Sequence, residues 1–361
     1  MKNTQAALGL IAVLATGSAM AQSSVIIGGI VDAFAGSTKN SGDKARRAVV
    51  GSGGLTTSWF GFKAVEDLGG GLKAEMALTG FFLADSGTSG RFGGDNLFSR
   101  DANIGISGSF GKVALGRNLA PNFLPTIISN PFGDSFNFSP LVVHANVPTG
   151  NFAARSWTAS NAGDTGWSNE IIYTTPDFSG FKANLHYQFG EVAGDSGRKN
   201  VGVNALYFNG PLALTAFYHD VRVANPNAGA IIDVTATPFN FGSINRQKTY
   251  FVGGNYDLKL VKLFATYQQS DDDTTTIRTM KDRLYSLGLS VPVGGGNILA
   301  GYANTKRTGD LVGADLKRDT ATIGYDYFLS KRTDLYANLM NDRLTSYKNG
   351  TSFGVGMRHR F

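Results

Sequence analysis

The sequence predicts an all-β fold: a transmembrane up-and-down antiparallel barrel of about sixteen strands. Three observations lead there. Apolar and polar residues alternate with period two over segments near ten residues, the length of a tilted membrane strand. The connections between these segments alternate between short and long, as in a barrel with tight turns at one rim and loops at the other. The N-terminus reads as an export signal, and no later segment stays apolar for the roughly 20 residues that a spanning helix needs.

Taken in chain order, the first element is the signal. Lys2 is the one charge before Asp32, an apolar run covers residues 6–20, and Ala19-Met20-Ala21 is a small-residue cleavage pattern. Cleavage between Ala21 and Gln22 is expected, leaving one barrel domain over residues 22–361. That mature chain has 32 basic and 27 acidic residues once Lys2 is gone, a formal charge near +5. The basic residues are scattered, so no nucleic-acid surface is indicated. The chain contains no cysteine, which excludes disulfides, thiolate metal sites and thiol chemistry.

The strands follow. Phe181, Ala183, Leu185, Tyr187 and Phe189 share one face against Lys182, Asn184, His186 and Gln188. Val201, Val203, Ala205 and Tyr207 oppose Gly202 and Asn204; Leu263, Ala265 and Tyr267 oppose Lys262, Thr266 and Gln268. Ala321, Ile323, Tyr325 and Tyr327 oppose Thr322, Gly324 and Asp326. Strands of this length exceed those of a soluble sandwich, and aromatics such as Tyr187, Tyr218 and Tyr256 recur where interfacial girdles belong. Short turns are expected at 66–71, 108–111, 176–180, 209–211, 257–259 and 330–332, and long loops near 36–54, 85–99, 119–168, 191–199, 221–247, 270–281 and 309–318. An even strand number closes the sheet, which lipid demands because an open edge would leave its amides without partners. The last segment, with Phe353, Val355, Met357, His359 and Phe361 on one face, reads as the closing strand, and its terminal Phe361 as an assembly signal.

Several stretches together resemble the general porins of Gram-negative bacteria, in particular the β-proteobacterial type. They are residues 24–35 (SVIIGGIVDAFA), 58–72 (SWFGFKAVEDLGGGL), 105–118 (GISGSFGKVALGRN), 330–333 (SKRT) and the terminal 357–361. The resemblance implies sixteen strands, a homotrimer, and a third external loop folded inward to narrow the pore. It further implies assembly into the outer membrane through the C-terminal strand by the barrel assembly machinery, contact with membrane lipid and lipopolysaccharide, and passage of small hydrophilic solutes and anions without any cofactor. The longest unpatterned stretch, 119–168, stands where that loop belongs, and Phe123, Leu124, Ile127, Ile128, Phe132, Phe136, Phe138 and Trp157 give it apolar anchors.

The same resemblance nominates the constriction. Asn130-Pro131-Phe132-Gly133-Asp134 is similar to the family's loop-tip motif, with Phe132 where enterobacterial relatives carry glutamate, so Asp134 becomes the acidic candidate. Trp59 stands where many relatives place a lumenal arginine; one wall cation is missing and a large ring lines the pore instead. Lys63 is lumenal by alternation against Phe60 and Phe62. Arg117 is assigned to the lumen by the resemblance; strict alternation from Val113 and Leu115 points it outward, so the assignment requires a bulge near Gly116, and Arg100, which begins the fourth strand, has the same two readings. Lys182 and His186 also face the lumen, and Lys44, Arg46, Arg47 and Arg155 add to the external field. A few cations in a narrow, low-dielectric passage raise anion occupancy, and salt screens the effect. Asp271, Asp272 and Asp273 are a weak candidate for a divalent cation, against the plainer reading of a solvated loop.

Two rivals are weighed. The four histidines, His144, His186, His219 and His359, sit in no nucleophile motif, and the glycines at 69–71 and 294–296 lack the residues of a phosphate loop, which counts against an enzyme. A substrate-specific channel or receptor shares the barrel and is distinguished by saturable block by one solute.

Overall fold

The computed structural model describes residues 23–91, 95–146, 165–191, 193–195, 197, 199–222, 244–274, 279–310 and 312–361. The signal-type segment with its Ala21–Gln22 junction lies outside them, as do Arg155 and Trp157. The strands are β1 (Ser24–Thr38), β2 (Arg47–Ser52), β3 (Trp59–Gly69), β4 (Leu72–Phe81), β5 (Asp101–Gly108) and β6 (Gly111–Leu119). Two short helices follow, α1 (Phe123–Ile128) and α2 (Pro140–Asn146). Then come β7 (Gly166–Thr174), β8 (Phe181–Phe189), β9 (Lys199–Asn209), β10 (Leu212–Val221), β11 (Ile244–Asp257) and β12 (Lys262–Thr274). The chain ends with β13 (Thr279–Val293), β14 (Gly296–Thr308), β15 (Leu316–Phe328), β16 (Thr333–Leu344) and β17 (Gly350–Arg360).

Every strand pairs antiparallel with its neighbours, and β1 pairs with β17, so the sheet closes on itself. β2 and β3 lie along the upper and lower halves of β1, so the seventeen segments occupy sixteen places in the wall. Closure at the seam extends to the last residue, where the Phe361 amide donates to the Gly29 carbonyl (3.1 Å). The predicted alternation is the actual pleat. Leu185, Leu287, Ile323 and Val355 stand on the outer surface, while His186, Ser286, Thr322 and Asn338 are buried within. The apolar side chains face outward because lipid is their solvent, and the wall's polar side chains find partners inside.

The tight turns fall at one rim, at the positions expected. At the other rim the strands run further than their sequence signals. β12 continues to Thr274, so Asp271, Asp272 and Asp273 lie on a strand and not in a loop. Consecutive strand residues alternate faces. Asp272 accordingly points in and accepts from Gln247 Nε2 (2.8 Å), while Asp271 pairs with Lys281 (3.1 Å) and Asp273 lies 3.9 Å from Lys248. The three carboxylates diverge and cannot close on one cation.

The third loop enters the barrel and lies against one side of its inner wall. α1 touches β9, β10 and β11, and α2 touches β13, β14 and β15. Phe132 and Phe138 of the loop pack with Leu55, Phe34 of β1, Leu299 of β14, and Tyr336 and Met340 of β16. Leu141 and Ala145 of α2 pack with Phe217, Phe251 and Leu284. These clusters give the barrel the apolar core that its lipid-facing residues cannot supply.

Candidate pore constriction

The loop tip is shaped by local hydrogen bonds before it meets the wall. Asn130 Oδ1 accepts from the Phe132 amide (2.9 Å) and the Ser139 hydroxyl (2.9 Å), while its Nδ2 donates to the Thr126 (2.8 Å) and Gly133 (2.9 Å) carbonyls. Gly133 takes φ 56°, a left-handed conformation that glycine adopts without strain. Pro140 opens α2 at the position where its missing N–H costs nothing.

The wall receives this tip at the break between β2 and β3. Asp32 of β1, fully buried, accepts from the amides of Gly54 (2.9 Å), Leu55 (3.0 Å) and Thr56 (2.8 Å), and from the Tyr336 hydroxyl. The break is thereby held open as a seat. Ser135 Oγ lies within hydrogen-bonding distance of the Gly53 (3.1 Å) and Gly54 (2.9 Å) carbonyls, and Asn137 Nδ2 of those of Ser52 (2.9 Å) and Gly53 (3.1 Å). Asp134 Oδ1 accepts from the Thr57 amide (3.2 Å), and the Thr57 hydroxyl donates to the Asp134 carbonyl (3.2 Å). Burial pushes the Asp134 carboxyl up to about 6, opposed by its Thr57 hydrogen bonds and by the Arg100 charge.

Trp59, Arg100 and Asp134 therefore form one neighbourhood. The Arg100 guanidinium stacks 4.4 Å over the Trp59 ring and pairs with Asp101 (2.9 Å), whose carboxylate also accepts from the Thr79 hydroxyl (2.6 Å). Asp101 was not legible as a partner because adjacent residues on a strand ordinarily face apart; Arg100 precedes β5 and its side chain escapes that rule. Lys63 lies two positions from Gly61 and four from Trp59 on the inner face of β3, with Phe60 and Phe62 outside. It is exposed, and no described residue pairs with its ammonium. Arg100 thus stands between two carboxylates, Asp101 and Asp134, while Lys63, four positions further along the inner face of β3, is the exposed cation.

Arg117 belongs elsewhere. The expected register break near Gly116 exists, but the extra residue is on β7: Gly116 pairs with Glu170 and Asn118 with Trp167, so Ser168 and Asn169 together oppose Arg117. The alternation of β6 is not reversed. Arg117 pairs with Ala102, in the outward series of Ile104 and Leu115. Its buried guanidinium donates to the Ser99 carbonyl (2.6 Å) and the Ser168 hydroxyl (2.9 Å), so protein and not lipid surrounds the charge. Lys182 sits by the turn with Asp177 (3.5 Å), far from the loop tip in sequence register, and His186 is buried against Glu170 (2.5 Å). Lys44 and Arg47 are exposed, and Arg46 donates to Ser37 Oγ (3.1 Å).

α2 is anchored by charge as well as by packing. Arg318 reaches from β15 to the Val143 carbonyl (3.0 Å) while pairing with Asp342 (3.0 Å). Burial and the Arg318 charge hold His144 well below its ordinary value, so it stays neutral between the Thr305 (2.7 Å) and Thr320 (2.8 Å) hydroxyls. Beneath the loop a cavity of about 1100 Å³ opens between Ile127, Phe132, Lys262, Asp326 and Arg358. Neither Arg318 nor Arg358 stood out in the sequence. Both carry partners 24 residues away across a hairpin, a spacing that becomes visible only once the register is known.

Comparison with known proteins agrees with this architecture. A family model described as Gram-negative porin matches residues 6–346. Outer membrane porin protein 32 of Delftia acidovorans is 33% identical over 347 residues, covering 94% of this chain and 89% of that protein. An outer membrane porin protein of Bordetella pertussis is 30% identical over 417 residues and spans 100% of both chains. Among solved structures, an anion-selective porin from Comamonas acidovorans superposes with a TM-score of 0.74 at 28% identity, covering 94% of this chain and all of that one.

Proposed function

Because this chain belongs to the Gram-negative porin family, an outer-membrane family of β-barrel channels, we propose that it is a general diffusion pore with a preference for small anions. The observation that carries the reading is the inverted wall: a closed ring of strands with apolar side chains outside and polar ones inside, narrowed by a docked loop. Solutes pass through water between the loop tip and the inner face of β3 to β5. Their passage is passive and calls for no catalytic group or cofactor. Lys63, exposed on the inner face of β3 four positions from Trp59, raises the local concentration of anions, while Asp101 and Asp134 offset Arg100. The bias is therefore small. The Comamonas relative, described as anion-selective, supports its sign.

We also assign a homotrimeric assembly, the family's usual one, with export by the segment ending at Ala21 and insertion guided by the strand ending at Phe361. The test is the zero-current potential across a potassium chloride gradient in a planar bilayer. Stepwise conductance with a chloride-favouring potential supports the reading. Conductance with potassium preference keeps the pore and sinks the anion bias, and no conductance from folded protein removes the pore itself.

A further inference from the structure

Inside the barrel lies apolar surface that a water-filled passage does not need. On the turn side of the docked loop, the inward series of β12 runs Lys262, Phe264, Thr266 and Gln268, and that of β14 begins Asn297 and Leu299. Phe264 and Leu299 thus occupy inward positions of a pleat whose other inward positions are mostly polar. Above them the loop adds Ile127, Ile128 and Pro131, each only half-buried, so their apolar surface meets the lumen. Wall and loop enclose the cavity of about 1100 Å³ between them. Its roof is fixed. Pro131 lies so close to β13 that a side-chain carbon at Gly288 would fall 2.6 Å from its ring, and Asn255 Nδ2 of β11 donates to the Ile128 carbonyl (2.8 Å). A roof held at both points needs no ordering before it takes a ligand, which lowers the cost of binding.

One edge of this space is cationic. Lys262 holds its ammonium 5.5 Å from the centre of the Phe264 ring. Its cross-strand neighbour Asp257 accepts instead from the Lys259 amide (2.7 Å), and among the described residues no carboxylate pairs with Lys262. Directly across from Lys262 on β13 stands Ser290, whose hydroxyl no described residue engages. The cation on the far side, Arg358, is already committed to Asp326 (3.1 Å) and Asp334 (3.0 Å). One uncommitted ammonium and a hydroxyl therefore sit side by side at the rim of an apolar space of ligand-binding size, the usual composition of a small-molecule site.

We propose that the turn side of the constriction binds a small amphipathic carboxylate, its carboxylate held by Lys262 and Ser290 and its apolar body lying between the loop's underside and Phe264. The site rests on the pore reading only for the route by which the ligand arrives. A wholly hydrophilic anion gains nothing from Ile127, Pro131 and Phe264, and an apolar cation is repelled by Lys262. Charge and apolar body are both required, so the site selects within the solutes that the pore admits.

The test is calorimetric titration of 3-phenylpropionate into the detergent-folded full-length protein, against a detergent blank, with planar-bilayer conductance recorded in parallel. Saturable binding is expected. Propionate, which lacks the ring, and phenethyl alcohol, which lacks the carboxylate, should each bind at least tenfold more weakly; these comparisons need no variant. Lys262→Gln should weaken 3-phenylpropionate at least fivefold, and Ile127→Asn at least threefold. Equal affinity for propionate and 3-phenylpropionate overturns the proposal, since it would leave a plain anion site. Equal affinity for phenethyl alcohol overturns it too, as does an affinity that Lys262→Gln leaves unchanged. An equal loss from Lys182→Gln, at a turn outside the cavity, would replace the site by a general field and also overturns it. If conductance is present and saturable binding absent, this site fails alone. If folded protein shows no conductance, the pore reading fails and the calorimetry still decides the site.

Discussion

The two sides of the lumen are built on opposite terms. Along β9 to β17 the third loop covers the inner wall, and the residues there behave as a soluble protein's core: Phe132 and Phe138 are fully buried, and Arg307 pairs with Asp282 at 2.6 Å with both side chains shielded from water. Along β3 to β5 the loop touches only the loop-side ends, where Phe123 of α1 packs against Phe81 of β4 (ring centroids 6.2 Å), and nearer the turns Lys63 stays exposed. The same alternating pattern produced both walls. Docking one loop decides which half becomes structural and which half meets solute, so the passage is displaced toward β3 to β5.

The comparison breaks most severely at Arg318. Arg318→Met leaves Asp342 buried without its cation, and losing one partner of a buried pair costs about 3–5 kcal/mol. It also frees the Val143 carbonyl, so α2 should leave the wall. The expected outcome is a lower unfolding temperature by heat-modifiability on gels, together with larger and noisier single-channel currents. Unchanged currents would show that the loop is held by packing alone. Phe138→Ala tests that packing, with an expected loss near 3 kcal/mol, measured by the same thermal shift.

On the open side, substitutions should leave stability within about 0.5 kcal/mol and act on selectivity. Lys63→Gln is expected to move the zero-current potential toward potassium, whereas Lys182→Gln, at the turn beside Asp177, should leave it in place. An equal shift from both would mean that selectivity is spread along the lumen. The smallest effect is a titration. The Asp134 carboxyl, raised to about 6, is charged at pH 7 and largely neutral at pH 5. Acidification therefore removes a negative charge from the constriction, and chloride preference should rise as pH falls through 6; Asp134→Asn should flatten that dependence. Because the folded value exceeds the unfolded one, the native state holds this proton more tightly, and Asp134's contribution to stability falls as pH rises from about 4 to about 6.

Much of this was legible in the sequence because a membrane barrel writes its pleat into hydropathy. The alternation around Leu185, Leu263 and Ile323, the turns and the closing strand required no tertiary information. The break at 53–58 was not legible. Its glycines read as loop, and only the Asp32 carboxylate, reached across the pleat, shows that three of its amides are fixed. Arg117 shows the limit from the other direction: a bulge was inferred at the right place, but sequence does not reveal which of two paired strands carries the extra residue. The Asp101 partner of Arg100 was likewise hidden, since the strand's first residue fixes where alternation begins.

Asp32 also bears on how the barrel is made. Its shell is drawn from the first hairpin and, through Tyr336, from β16, more than 300 positions later. The seat that this shell holds open also receives Ser135 and Asn137 from the middle of the chain. A nascent chain that stops short of β16 has the carboxylate but lacks the hydroxyl that completes its shell, and the loop lacks part of its apolar bed. The loop's complete bed therefore exists only once β16 is in place. A half-inserted barrel would remain an open, unplugged sheet until its final two strands arrive.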